Sequence, residues 1–334
     1  MKKILYFGLL FSLFISACET VVEVDIPRES PKIVVNAFIQ PGNPVRVLLS
    51  QSQFVLSNRS LRNLPGANVV LLEDGTPVAT LEELELENDG TVVIDDLSQT
   101  VYFTNFTPTV GREYSIQVDK AGFDPVEATT FIKSAVPIQD LQYDTTVYEY
   151  SYFDGNTTVT QKQINLSDVQ LSIADPGAES NYYEITVAQY VTQYRGAYNE
   201  EDGTYTITDT VTVLSPMYLN SDDPIVNEGD FFTGDDRYYG ASLIFPDEIF
   251  NGKSYTVRFN VENYSYSEEP VKEYVVFLRS LNEAQYLYIR STDLQSDTEG
   301  NPFAEPVPVY NNIENGYGIF AGSSSDTVNI LLEE

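Results

Sequence analysis

The chain has no histidine, no tryptophan and a single cysteine, and only 18 of its 334 residues are Lys or Arg. Each shortage closes off some chemistry. Without imidazole, Ser-His-Asp and Cys-His catalysis, His-ligated zinc and haem on a proximal His are excluded. One cysteine forms no intrachain disulfide and no thiolate cluster for zinc or iron–sulfur. With 50 acids the formal net charge is −32. That charge argues against nucleic acid, whose phosphates need a basic face. It also argues against adsorption to anionic lipid by surface charge. What the chain does have is 42% apolar residues, enough to build cores. Its length indicates about two domains.

The first residues carry a targeting signal. Met1-Lys2-Lys3 is a short basic start, and Ile4 to Ile15 is an apolar run too short to span a bilayer as a helix. Ile15-Ser16-Ala17-Cys18 follows and resembles the bacterial lipobox. In that class of signals the Cys is diacylated on sulfur, the peptide is cut before it, and the new amine is acylated. An ordinary signal peptide with a chance Cys is the alternative. The only Cys in the chain lies where the lipobox requires one. Residues 1–17 are therefore expected to be a lipoprotein signal peptide. Cys18 is expected to be the lipidation site, with two or three acyl chains holding the protein to the bilayer. Glu19 follows Cys18 where inner-membrane retention uses Asp, which favours the outer membrane. Residues 18–30 read as an acidic tether. Acids just after the Cys resemble the surface-export signal of Bacteroidota lipoproteins, so the cell-surface face is favoured over the periplasmic one.

The remainder reads as strands separated by turn dipeptides. Lys32–Gln40, Val45–Gln51, Ala67–Glu73, Thr91–Asp95, Val101–Phe106, Glu113–Asp119 and Val126–Lys133 alternate or carry β-branched runs. Asp74-Gly75, Asp89-Gly90, Asp154-Gly155, Asp202-Gly203 and Asn251-Gly252 supply the positive φ of tight turns. Residues 31–135 are thus expected to form an immunoglobulin-like or regulatory-like β-sandwich, without the Cys…Trp…Cys hallmark. Composition shifts near Ala135-Val136-Pro137. Residues 136–334 are expected to form a second β-rich domain, with strands at Ser167–Ala174, Tyr182–Val191, Tyr205–Leu214, Ala241–Phe245, Ser254–Glu262, Val271–Phe277 and Thr327–Leu332. Phe250-Asn-Gly-Lys-Ser-Tyr255 reads as a hairpin. Leu278, Leu281, Ala284, Gln285 and Tyr288 fall at helical spacing, so one main helix is expected at about 280–294, its stripe packing the core. The fold class is mainly β.

Taken together, these segments resemble one family. The lipobox start and tether lead into Pro31-Lys-Ile-Val-Val-Asn-Ala37, Asn43-Pro-Val-Arg-Val-Leu-Leu-Ser50 and the Ala67–Gly75 strand and turn. Later come Phe245-Pro-Asp-Glu-Ile-Phe-Asn-Gly-Lys-Ser-Tyr255 and the stretch Asn301–Gly322. The pattern is similar to an uncharacterised, domain-of-unknown-function family of Bacteroidota outer-membrane lipoproteins, often encoded beside TonB-dependent receptors. The resemblance implies a location and a partner, the TonB-dependent outer-membrane receptor. It carries over no catalytic residue.

Candidate sites each have a structural alternative. In Pro302–Gly322, residues Tyr310, Asn312, Gly316, Tyr317, Gly318 and Phe320 form a candidate partner or ligand loop, where glycines let a backbone approach closely. The same pattern suits turn chemistry and packing. The acidic loop Ser221–Arg237 holds Asp222, Asp223, Asn227, Glu228, Asp230, Asp235 and Asp236. Of these, Asp222, Asp223, Asp230, Asp235 and Asp236 are weak Ca²⁺ candidates, because the spacing is not that of an EF-hand. A solvated loop is the alternative. Paired carboxylates for glycoside hydrolysis are trivially available among 50 acids and carry no specificity. Lys253-Ser254 is a formal nucleophile pair, but a strand role explains it better. The 24 tyrosines offer amphipathic faces for sugars or protein, and are also good strand formers. No catalytic residue, metal or cofactor is expected. The sequence therefore points to a non-enzymatic, lipid-anchored binding or accessory subunit beside a TonB-dependent transporter in nutrient capture. A structural or adhesive surface lipoprotein is the alternative, and a polymer hydrolase comes last.

Overall fold

The computed structural model describes residues 30–54, 62–84, 100–153, 158–199, 204–226, 238–262, 273–298, 305 and 307–332. Cys18, the tether up to 29 and the expected strand Thr91–Asp95 lie outside that set. The described chain is mainly β with one helix, in two β-rich lobes, each around its own core.

The N-terminal lobe contains β1 (Ile33–Ile39), β2 (Val45–Gln51), β3 (Arg62–Asn63), β4 (Asn68–Glu73), β5 (Thr76–Glu83), β6 (Thr100–Thr104), β7 (Glu113–Asp119) and β8 (Val126–Phe131). Alternation sets its faces. Ile33, Val35, Ala37 and Ile39 of β1 are buried while their neighbours are not, as the period-2 pleat requires. They pack with Val47, Leu49, Val69, Leu71, Tyr102 and Ile116. The β4–β5 hairpin turns on Asp74-Gly75, both at positive φ (47° and 77°).

The C-terminal lobe contains β9 (Ile138–Phe153), β10 (Thr158–Ala174), β11 (Tyr182–Asn199), β12 (Thr204–Pro216), β13 (Tyr218–Ser221), β14 (Tyr238–Gly240), β15 (Leu243–Pro246), β16 (Ser254–Glu262), β17 (Glu273–Leu281), the helix α1 (Glu283–Thr298) and β18 (Tyr317–Leu331). Five of these strands form one sheet in the order β14-β13-β16-β10-β9. The rest join the N-terminal lobe, most of them in a single path, β12-β11-β17-β18-β1-β2-β6-β5-β4-β7-β8, with β15 paired to β11 beside it. Leu171, Ile173, Tyr183, Ile185, Val257, Phe259, Tyr274 and Val276 fill the space between the two sheets.

β18 is the seam between the lobes. Tyr317 to Gly322 run parallel to Val34–Ile39 of β1, and Ser323 to Leu331 run antiparallel to β17. The expected 136–334 domain therefore includes six residues that pair with the sheet of the N-terminal lobe. The linker after β8 is pinned to the same seam. Lys133 O accepts from Ser324 Oγ, Val136 N donates to Ser280 Oγ, and Ile138 N donates to Asp326 Oδ2.

Three local expectations need correction. The helix begins later than 280, because Leu278 and Leu281 are buried strand residues of β17, paired on both sides. Asn282 then caps α1, its Oδ1 accepting from Gln285 N at 2.9 Å. The Phe250–Tyr255 segment is a turn but not a hairpin. β15 before it pairs with β11, whereas β16 after it pairs with β10 and β13 in the other sheet. β10 runs far beyond the expected Ser167–Ala174, and β9, where no strand was expected, stays paired with it out to Phe153 and Thr158.

Candidate functional site

The loop before β18 is built as a clasp. Asn312 Nδ2 donates to Phe320 O at 2.8 Å, and its Oδ1 accepts from Phe320 N at 2.9 Å. One side chain thus occupies both backbone groups of a strand residue. Asn311 Oδ1 accepts from Ile313 N, and its Nδ2 reaches Gly316 O at 3.2 Å. Tyr310 N donates to Ser291 Oγ of α1. Phe320 is wholly buried in the core of the N-terminal lobe.

The glycines of this loop do allow a close backbone approach, and the approaching backbone is the protein's own. A Cβ on Gly316 would lie 2.7 Å from Ile33 O, and one on Gly318, at φ +109°, would lie 2.0 Å from Val35 O. Both oxygens belong to β1. Of the six residues singled out in the sequence, Tyr317 is the one whose side chain is well exposed, with the Lys32 ammonium 5.0 Å from its ring centroid. That arrangement is a cation–π contact within the fold.

The acidic loop divides. Asp222 is exposed. Asp223 is buried, and its carboxylate accepts from Tyr255 Oη (2.6 Å), Ile225 N (3.1 Å) and Arg258 N (3.1 Å). Its lone pairs are spent in tying the β13 end to β16. Burial, and then the bond to Asp223, raise the Tyr255 phenol above its ordinary value. Asp230, Asp235 and Asp236 lie outside the described residues. Among the described residues, no three of His, Cys, Asp and Glu gather where a metal ion would sit.

A second carboxylate network gave no signal in the sequence. Asp175, Asn181, Tyr183 and Asp247 are all buried near the turn between β10 and β11. Asp175 accepts from Tyr183 Oη (2.5 Å), Asn181 Nδ2 (3.1 Å), Gly252 N (2.7 Å) and Gly177 N (3.0 Å). Asp247 accepts from Asn181 N at 2.9 Å and from its Nδ2 at 3.3 Å. Burial, and then the bond to Asp175, push the Tyr183 phenol strongly up. Such hydrogen-bonded carboxylates are structural ties, stable because donors compensate the desolvated oxygens. Lys253 and Ser254 are exposed beside this turn, and Ser254 opens β16 opposite Ala174.

The tyrosine-rich segments divide as well. Tyr183 is core, and Tyr182 stacks on Tyr286 of α1 at 4.5 Å. Tyr148 and Tyr190, by contrast, are exposed on long hairpins. The model of a domain of unknown function, DUF4249, matches residues 19–329. The chain belongs to that family. A search of curated proteins found no match. The DUF4249 match covers both β-rich lobes and the seam strand as far as Asn329, nearly the whole described fold.

Proposed function

We propose that this DUF4249 protein is an outer-membrane lipoprotein anchored by acyl chains on Cys18, and that it acts as a non-enzymatic binding or accessory subunit of a TonB-dependent transporter. The observation that carries the reading is the sequence Ile15-Ser16-Ala17-Cys18, with the chain's only cysteine at its end. The acidic tether and the resemblance to Bacteroidota lipoproteins support it. So does the use of the buried carboxylates. Asp175, Asp223 and Asp247 are each held by backbone and side-chain donors, an arrangement that fixes turns and gives these buried carboxylates a structural use.

Two measurements test this. Cys18→Ala removes the acylated residue and the cut before it, so the protein should leave the outer-membrane fraction, either released or mislocalised as a precursor that keeps residues 1–17. A variant of mature length that stays in the outer-membrane fraction through carbonate washing sinks the lipid-anchor reading. The lipidated protein, tagged and drawn from mildly solubilised outer membranes, should bring a TonB-dependent receptor with it in near-equal amount. A protein that comes down alone would favour a free-standing spacer or adhesin.

A further inference from the structure

The C-terminal lobe continues well past its core. β11 and β12 stay paired from Ala188↔Pro216 to Asn199↔Thr204, and β9 and β10 out to Phe153↔Thr158. β10 ends and β11 begins on either side of the 175–181 turn, so both hairpins leave the sandwich at the end opposite that turn. Among the described side chains of β11, Gln189 is the last that is buried. At roughly 3.3 Å per residue, the stretch to Asn199 reaches on the order of 30 Å farther. On β9, residues 142–149 are exposed without a break. A two-stranded ribbon has little stability of its own in water.

These arms carry apolar side chains in the open. Val147 is 58% exposed and Tyr148 66% on one arm; Tyr190 is 51% and Ile207 53% on the other, with exposed Leu214 directly across from Tyr190. Isolated exposed apolar residues are ordinary, but a set of them on projecting ribbons marks an interaction face. The charge around them has one sign. The hairpin segments 142–167 and 190–216 hold seven acids against Lys162 and Arg195, and Lys162 is already paired across the strands with Glu149 at 3.2 Å. Such a face repels anionic lipid, nucleic acid and a second copy of a chain of net charge −32. It complements a protein surface that is basic and offers apolar side chains of its own.

We propose that the β9–β10 and β11–β12 arms are the surface with which this chain grips a cationic protein partner. This rests on the accessory-subunit reading and deepens it by naming the face that such a partner would meet.

The test uses the full lipidated protein in its own membrane. A photocrosslinking amino acid is placed at Val147 or Ile207 on the arms, and at Val110 or Phe131 on the N-terminal lobe, all exposed positions. The receptor recovered by the pull-down is then purified and titrated with the protein at low and high salt. Crosslinks to the receptor are expected from the arms and not from the N-terminal lobe. Affinity should fall at least tenfold with added salt, and tenfold again in an Asp144→Lys/Asp209→Lys variant. Both aspartates are exposed, so circular dichroism should be unchanged. A Val147→Ser/Ile207→Ser variant tests the apolar contribution without altering charge. If the receptor co-purifies but crosslinks only from the N-terminal lobe, or binds with no salt dependence, the arm proposal is overturned and the accessory reading stands. If the arms crosslink to a different basic protein, the proposal holds and the transporter reading falls. Crosslinks between copies of this chain, or none at all, overturn the proposal.

Discussion

At the scale of single residues, two glycines at positive φ make opposite predictions. Gly42 has φ +74° and open space where a Cβ would go, whereas Gly318 has φ +109° and would drive a Cβ to 2.0 Å from Val35 O. Gly42→Ala should cost only the conformational strain, about 1 kcal/mol. Gly318→Ala must also push β18 away from its neighbour β1, and should cost more than about 3 kcal/mol or prevent folding. Urea unfolding of the two variants compares them directly; equal midpoints would mean that the β1–β18 contact is looser than described. The buried phenols give a pH prediction. Tyr183 and Tyr255 are both raised by burial and by a carboxylate acceptor. A folded-state value above the unfolded one means that the native protein keeps a proton which the unfolded chain releases. The stabilisation is intact below the unfolded phenol's value of about 10 and is lost as pH rises beyond it, by up to about 1.4 kcal/mol per pH unit for each phenol. The urea midpoint should hold up to about pH 9.5 and then fall. Tyr183→Phe should be less stable at neutral pH, since Asp175 loses a donor, yet decline more gently above about pH 10.

At the scale of elements, β18 is the piece on which most depends. A chain ending at Gly316 would strip β1 of its parallel neighbour and β17 of one of its antiparallel ones, and would remove Phe320 from one core and Ile330 from the other. Both lobes should lose cooperative unfolding together, visible as a flat thermal melt and rapid proteolysis of each. Survival of either lobe as a protease-resistant fragment would show that it closes its sheet alone. The strands that could be read from the sequence were those with one wet and one buried face, such as β1, β7 and β8, where alternation is the direct imprint of the core. β5 was missed because Leu81 is its one buried residue. β9 was missed altogether for a related reason: from 142 to 149 both its faces are solvated, so the apolar period that marks a strand does not arise. Asn251-Gly252 gave the right turn and the wrong partnership, because turn chemistry is local and the choice of sheet is not. The glycine loop was legible as a place of close approach. What approaches it comes from the other end of the chain, beyond the reach of any local pattern.

At the scale of the whole molecule, charge is the dominant fact. A net charge of −32 on 334 residues keeps molecules apart and strains each fold by self-repulsion. Among the described residues the ion pairs are few, and Arg112–Asp74 and Lys162–Glu149 are exposed, worth little individually. Raising NaCl from about 0.02 M to about 0.5 M should therefore raise the melting temperature at about pH 7, because the screening length shrinks from about 20 Å to about 4 Å and repulsion dominates. A lower melting temperature in salt would mean that the exposed pairs outweigh it. The seam strand also has a consequence in time. Synthesis from the N-terminus delivers β1 long before β18, so the sheet of the N-terminal lobe lacks one of its strands until residue 322 has been made. Until then β1 is open on the side that β18 will take. A product terminated before residue 317 never receives that strand and stays open to proteases, so the fold itself reports whether β18 was made.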